Sequence, residues 1–137
     1  MTLTLLVDAS VWASLADPGE RFHSEARKLL LDSGGALAAL DLTHFEVANA
    51  VGVKMRQPKR ARWLSEIVAA RCGDRLLRVD PQLIAAALEI AVEHGLTAYD
   101  AAYVAAARRN GMTLVSADIC DLVSRGLAVA PDAALYP

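Results

Sequence analysis

Short apolar runs alternating with helical stretches constrain this chain more than any other feature. "LTLLV" (3–7), "ALAAL" (36–40), "RLLRV" (75–79), "MTLVSA" (112–117) and "LAVA" (127–130) are each too short to be helices of ordinary length. Such runs fit strands, and the first reads as one buried on both faces. The segments between them carry apolar residues at helical spacing: "SVWASLA", ending at Asp17-Pro18-Gly19; "ERFHSEARKLLLDSGG", stopping at Gly34-Gly35; "THFEVANAVGVKMR"; and "KRARWLSEIVAARCG" beyond Pro58. "QLIAAALEIAVEHG" follows Asp80-Pro81, a cap and first-turn proline, and "GLTAYDAAYVAAARRNG" and the short "DICDLVSRG" complete the series. Strands alternating with helices predict an α/β domain with a mostly parallel, five-stranded sheet and right-handed crossovers. No repeat, linker or low-complexity tract interrupts the pattern, so residues 1–137 read as one domain. Chemistry is expected at the carboxyl ends of the strands, where an open parallel sheet leaves a crevice.

Bulk properties remove several function classes. With 55% hydrophobic residues the chain is no disordered segment. No apolar run approaches the ~18 residues that a membrane span needs. The start "MTLTLLVDAS" lacks the basic opening and small-residue cleavage site of a secretory signal, so a cytoplasmic location is expected. Cys72 and Cys120 are far apart in the chain with no second thiol near either, which fits reduced thiols better than a disulfide or zinc site. The net charge of −2 hides an uneven distribution: Lys54 to Arg78 holds eight basic residues against two acids. A basic face of this kind suits an anionic partner, although a solvated helix surface explains it equally well.

The acids are more informative. Asp8 ends the first apolar run; Glu46 and Asp100 occupy the fourth position of "THFE" and "TAYD"; Asp118 follows "MTLV" within "SAD". Singly, each can be read as a helix cap or part of a capping box. "DPGE" (17–20) has the same pattern but follows a helix, so it is expected to lie away from the crevice, and capping suffices for Asp80 before Pro81. Gathered at one sheet edge, the four selected carboxylates would repel each other unless protons or a cation neutralised them. Oxygen ligands of this sort suit Mg²⁺ or Mn²⁺.

"LLVDASVW", Glu46 within "LTHFEVANAV", "LTAYDAAYVAAARRNG" and "TLVSAD" occur in the order and spacing of a PIN domain, and the chain most resembles the VapC-type ribonuclease toxins of toxin–antitoxin pairs. The likeness runs from about residue 3 to 130. It implies a three-layer α/β/α fold and metal-dependent hydrolysis of RNA phosphodiester bonds, which inhibits translation and growth. Asp8, Glu46, Asp100 and Asp118 would be catalytic, with Asp8, Asp100 and Asp118 on Mg²⁺ (or Mn²⁺) and Glu46 completing the arrangement or orienting water. Ser10 and Ser116 would hydrogen-bond to these acids. Ser116 stands where the family usually has Thr, and Asp121, one turn beyond Asp118, would share or replace its role. Arg56, Lys59 and Arg60 are the candidate RNA contacts. Tyr99 and Tyr103 are expected to pack rather than stack on bases. The likeness further implies a homodimer and a small cognate antitoxin whose tail fills the active-site groove. Helices over 20–33 and 43–72 are the expected source of the apolar docking surface.

Rival readings are weaker. A haloacid-dehalogenase-type phosphatase also starts from an Asp after the first strand but needs an acid two residues later, where Ser10 stands. A receiver domain needs a lysine after a late strand, and the lysines are Lys28, Lys54 and Lys59. His23, His44 and His94 have no spacing that suggests a site. A PIN-like module without activity would have no reason to keep four clustered acids.

Overall fold

The computed structural model describes residues 3–136. β1 (Leu5–Val7), β2 (Leu37–Leu40), β3 (Leu76–Leu77) and β4 (Thr113–Val115) form one parallel sheet in the order β3-β2-β1-β4. Leu5 is paired with both Leu37 and Thr113, and Val7 with Val115, so β1 lies inside the sheet with a neighbour on each side. Asp8, the residue after Val7, therefore emerges mid-edge rather than at a corner.

Helices cover both faces, in a three-layer α/β/α arrangement. Alternation along the strands divides the interior. Val7, Leu37, Ala39 and Val115 point into a core shared with Val11, Trp12, Leu30, Val47, Leu64 and Val68. These come from α1 (Ala9–Ala13), the α2 region (His23–Arg27, widening to a π-helical turn over Lys28–Asp32), α3 (Thr43–Val47, continued as a π-helical stretch over Ala48–Lys54) and α4 (Pro58–Cys72). Leu6, Ala38, Leu40 and Leu114 face the other way, onto α5 (Pro81–His94) and α6 (Ala98–Asn110). A short α7 (Pro131–Leu135) closes the described chain.

Local signals explain the two longest crossover elements on the second face. Asp80 accepts a hydrogen bond from the Leu83 N–H at 2.7 Å and Pro81 opens α5, which ends at Gly95 with φ +67°, a left-handed cap that suits glycine. Thr97 accepts from the Asp100 N–H at 3.2 Å to open α6. The alanine content of α6 has a packing cause: Ala101 to Ala107 are all buried, so the helix is enclosed on every side by sheet and α5. Only small side chains allow so close an approach, and Tyr103 is the one bulky polar exception.

Two expected strands fall short. "RLLRV" contributes only Leu76–Leu77, and "LAVA" only a parallel bridge from Val129 to Val115. Val129 donates to Leu114 O at 2.9 Å and accepts from Ser116 N at 3.0 Å, but Pro131 then starts α7 and brings no N–H to extend a ladder. Among the described residues the sheet therefore has four strands, not five. No helix among the described residues is long and apolar enough to cross a membrane.

Ala106, fully buried in α6, allows a test of this packing. Ala106→Leu should destabilise the protein by about 1–3 kcal/mol in urea denaturation, while Ala85→Leu on the exposed side of α5 should stay within about 0.5 kcal/mol of the parent.

Candidate active site

The parallel sheet delivers acids to one edge by simple geometry. β1 and β4 end there and hand the chain to Asp8 and, three residues on, Asp118; α3 begins beyond the end of β2 with Glu46 in its first turn; α6 has Asp100 in its own first turn.

Asp8 is the most constrained. It caps α1, with Oδ1 accepting from Ser10 N at 3.0 Å, Val11 N at 3.4 Å and the Ser10 hydroxyl at 2.5 Å. Its own N–H is bonded to Val115 O at 3.1 Å, which ties it to β4, and only 4% of it is exposed. Burial pushes its carboxyl up to about 6; hydrogen bonds from Ser10, Ser116 and Val11 oppose that rise, and the charge of Asp100 adds to it. Glu46 is raised by burial and by the charges of Asp8 and Asp100, against a hydrogen bond from Tyr103. Asp100 is raised by burial and by the charges of Asp118 and Asp121. Asp8, Glu46, Asp100, Asp118 and Asp121 are thus electrostatic neighbours. Among the described residues no ion pair neutralises the first four, whereas Asp121 lies 3.6 Å from the guanidinium of Arg125.

The serines knit this edge together. The Ser10 hydroxyl also accepts from Ala117 N at 3.0 Å and lies 3.5 Å from the Ser116 hydroxyl, which in turn accepts from Asp118 N at 3.0 Å. Asp118 Oδ1 accepts from Asp121 N at 2.9 Å and caps the π-helical turn Ile119–Val123.

Two of the expected capping boxes do not form. Thr43 is the first helical residue rather than the cap, because its hydroxyl is engaged at 2.6 Å by Tyr103, whose phenol also donates to Glu46 Oε1 at 2.7 Å. Thr97 does cap α6, but no side-chain bond of Asp100 closes the box, so the Asp100 carboxylate is not held by the first-turn N–H groups. The Tyr103–Glu46 contact was not legible in the sequence, since 57 residues separate the partners. Tyr103 packs as expected, being 1% exposed; Tyr99, at 63%, does not.

"DPGE" also departs from expectation. Asp17 and Glu20 line a cleft of about 410 Å³ together with Ser10, Ala117 and Asp118. The helix before them is short, α1 plus a 3₁₀ turn over Ser14–Ala16, so the chain has not left the crevice when it turns. A second cleft of about 730 Å³ shares Ser10, Ala13 and Ala50 with the first and adds Glu46, Asn49, Lys54, Phe45 and Tyr99.

The basic segment is less uniform than its composition. Arg71 donates to Leu30 O and Ser33 O, Arg75 to Leu37 O, and Arg60 to Ala16 O at 2.8 Å, so these three fasten helices and sheet together. Arg56, Lys59 and Arg60 nevertheless line one groove of about 880 Å³ with His23, Arg27 and Trp63. Two of its lining residues, Pro18 and Arg56, are chain neighbours of Asp17 and Met55, which line the 410 Å³ cleft.

The donor set suits a hard divalent cation: carboxylate oxygens in excess and no sulfur. Among the described residues no three His, Cys, Asp or Glu side chains are grouped so that they could hold a metal ion. Mg²⁺ retains several waters and takes only one or two carboxylates, so its binding does not require such a group.

The buried charge has a consequence for stability without metal. Folded Asp8 keeps its proton up to about pH 6, whereas an unperturbed Asp loses it near 3.8, so between these values the folded state binds more protons and stability falls as pH rises. In EDTA, Asp8→Asn should therefore be more stable than the parent at pH 7, by up to about 3 kcal/mol, with the gap closing towards pH 4. Urea titrations at the two pH values check this.

Comparison with known proteins agrees with the geometry. The PIN domain family model matches residues 5–119. Ribonuclease VapC3 of Pyrobaculum aerophilum is 35% identical over 124 residues, covering 85% of this chain and 90% of the relative. Exonuclease VapC9 of the same organism is 34% identical over 123 residues, covering 86% and 83%. Among solved structures, VapC20 of Mycobacterium tuberculosis, described as a Sarcin-Ricin loop cleaving toxin, superposes with a TM-score of 0.71 at 23% identity, covering 89% of this chain and 95% of that one. With a family model spanning most of its length and acids converging on the carboxyl edge of a parallel sheet, this chain belongs to the PIN domain family.

Proposed function

We propose that this protein is a Mg²⁺- or Mn²⁺-dependent ribonuclease that cuts RNA internally, and that it acts in the cytoplasm as the toxin of a toxin–antitoxin pair. The observation that carries the reading is the electrostatic state of Asp8, Glu46 and Asp100. Burial and the charges of nearby acids raise all three from their ordinary values, and among the described residues none has a basic ion-pair partner. Such an edge is costly in a protein that only folds, and serves one that recruits a cation.

Asp8, Asp100 and Asp118 are the residues assigned to hold the ion, and Glu46, which lines a cleft with Ser10 and Tyr99, would orient the attacking water. When bound, a divalent ion there lowers the pKa of a bound water and stabilises charge on the phosphate. Ser10 fixes the Asp8 carboxylate through its hydroxyl and N–H. Ser116 sets the turn that presents Asp118. Asp121, engaged by Arg125, acts on the site through its charge. Arg56, Lys59 and Arg60 line the groove that would receive RNA phosphates.

The proposed partners are a small antitoxin and a second copy of the chain. Exposed apolar side chains support protein contacts on this surface: Phe45, Val53 and Trp63 fall in the expected 43–72 region, and Ile84, Leu88 and Val92 form a stripe on α5 outside the regions expected from the sequence. None of the large exposed apolar residues lies in 20–33.

Purified protein should cleave a circular RNA, which has no ends for an exonuclease, in Mg²⁺ or Mn²⁺. EDTA should stop the reaction, and Asp100→Asn should slow it by ~100-fold or more while far-UV circular dichroism stays unchanged. Cleavage that persists in EDTA would contradict the metal requirement. Substituting Gln at Arg56 and Lys59 should weaken RNA binding and lower the slope of log K against log salt by about 0.7 for each phosphate no longer neutralised.

A further inference from the structure

Glu46 stands at the mouth of the cleft on a flexible side chain, half-buried, in the first turn of α3. Left to itself, such a carboxylate would sample several rotamers. One contact opposes this: the Tyr103 phenol donates to Glu46 Oε1 at 2.7 Å. Tyr103 is anchored by the core, 1% exposed among the alanines of α6, and its oxygen accepts from the fully buried Thr43 hydroxyl at 2.6 Å. The chain Thr43–Tyr103–Glu46 thus runs from the interior to the cleft and links α3 with α6.

We propose that Tyr103 is a positioning residue, which holds the Glu46 carboxylate in the place from which it acts, with Thr43 orienting the phenol. The inference rests on the ribonuclease reading above and names a residue that works through Glu46 without touching substrate. Packing alone does not require a phenol here. Phenylalanine would fill the same volume without bringing a buried hydroxyl that needs partners. The hydroxyl has two partners, one of them a carboxylate, and a hydrogen bond to a charged acceptor is short and directional. Burial and the Glu46 charge raise the phenol well above its ordinary value, so it is a donor at neutral pH. Asp100 lies three residues before Tyr103 on α6, so one rigid helix carries both Asp100 and the group that positions Glu46.

The test uses Tyr103→Phe, Glu46→Gln, their combination and Thr43→Val in the full chain. Tyr103→Phe should keep the parent far-UV spectrum and lower kcat for RNA cleavage by ~10–100-fold, with KM changed less than about twofold. The double variant should be no slower than Glu46→Gln alone, because Tyr103 acts through that carboxylate. A crystal structure of Tyr103→Phe should show the Glu46 side chain displaced or spread over rotamers on an unchanged backbone, a readout independent of activity. Thr43→Val, which leaves the phenol in place, should give a smaller fall in kcat and serves if Tyr103→Phe folds poorly. An unaltered kcat in Tyr103→Phe alongside a slow Glu46→Gln overturns the inference, as do losses that multiply in the double variant. Full turnover in Glu46→Gln would instead remove Glu46 from the catalytic reading, and the positioning role with it.

Discussion

Like charges at the end of a parallel sheet organise this molecule. Every strand of the sheet points the same way, so the segments after β1, β2 and β4 all start on one side. α6 runs back along the sheet to reach β4, which places its first turn, with Asp100, on that side as well. Asp8, Glu46, Asp100 and Asp118 then share a neighbourhood in which burial raises the cost of ionising the first three, and repulsion from nearby acids adds to it. The fold tolerates this through N–H groups and hydroxyls aimed at the carboxylates, not through bases. The α1 N-terminus and Ser10 serve Asp8, and Tyr103 serves Glu46. Hydrogen-bond donors stabilise an anion without cancelling its charge, so attraction for a cation survives. Arginines in the same places would have made a more stable protein and closed the site.

The rest of the architecture keeps that edge rigid. Trp12, fully buried, donates from its indole N–H to Val7 O at 3.3 Å and locks the start of α1 onto the strand that delivers Asp8. The buried alanines of α6 let a whole helix lie between sheet and α5, so the position of Asp100 is set by packing over its full length. Arg60, Arg71 and Arg75 fasten α4 and the turn after it to backbone carbonyls across the first core. Much of what looks like a basic face by composition is therefore structural, and the charge left to attract an anion is concentrated around Arg27, Arg56 and Lys59 in one groove.

The amount legible in the sequence tracks the range of the interaction. Local devices could be read: the Asp80-Pro81 start of α5, the Thr97 cap of α6, and the buried runs that became β1, β2 and β4. Where a residue's partner was distant, local reading failed. Thr43 has the spacing of a cap, but a phenol 60 residues away claims its hydroxyl. "LAVA" has the composition of a strand, but Pro131 permits one bridge and no more. Asp17 and Glu20 come after a helix, yet the brevity of that helix leaves them beside the crevice. The four acids stand out in the sequence because motif order encodes a long-range arrangement that periodicity alone does not. The hydrogen bond that steadies one of them carried no such signature.

Asp8 and Asp100, 92 positions apart in the chain, are proposed to serve one ion. Anomalous diffraction from crystals grown with Mn²⁺ examines it most directly. A manganese peak is expected at the carboxyl edge of the sheet, with oxygens of both Asp8 and Asp100 among its nearest protein atoms. A fully occupied ion elsewhere, or carboxylates too far apart to share one, would contradict it.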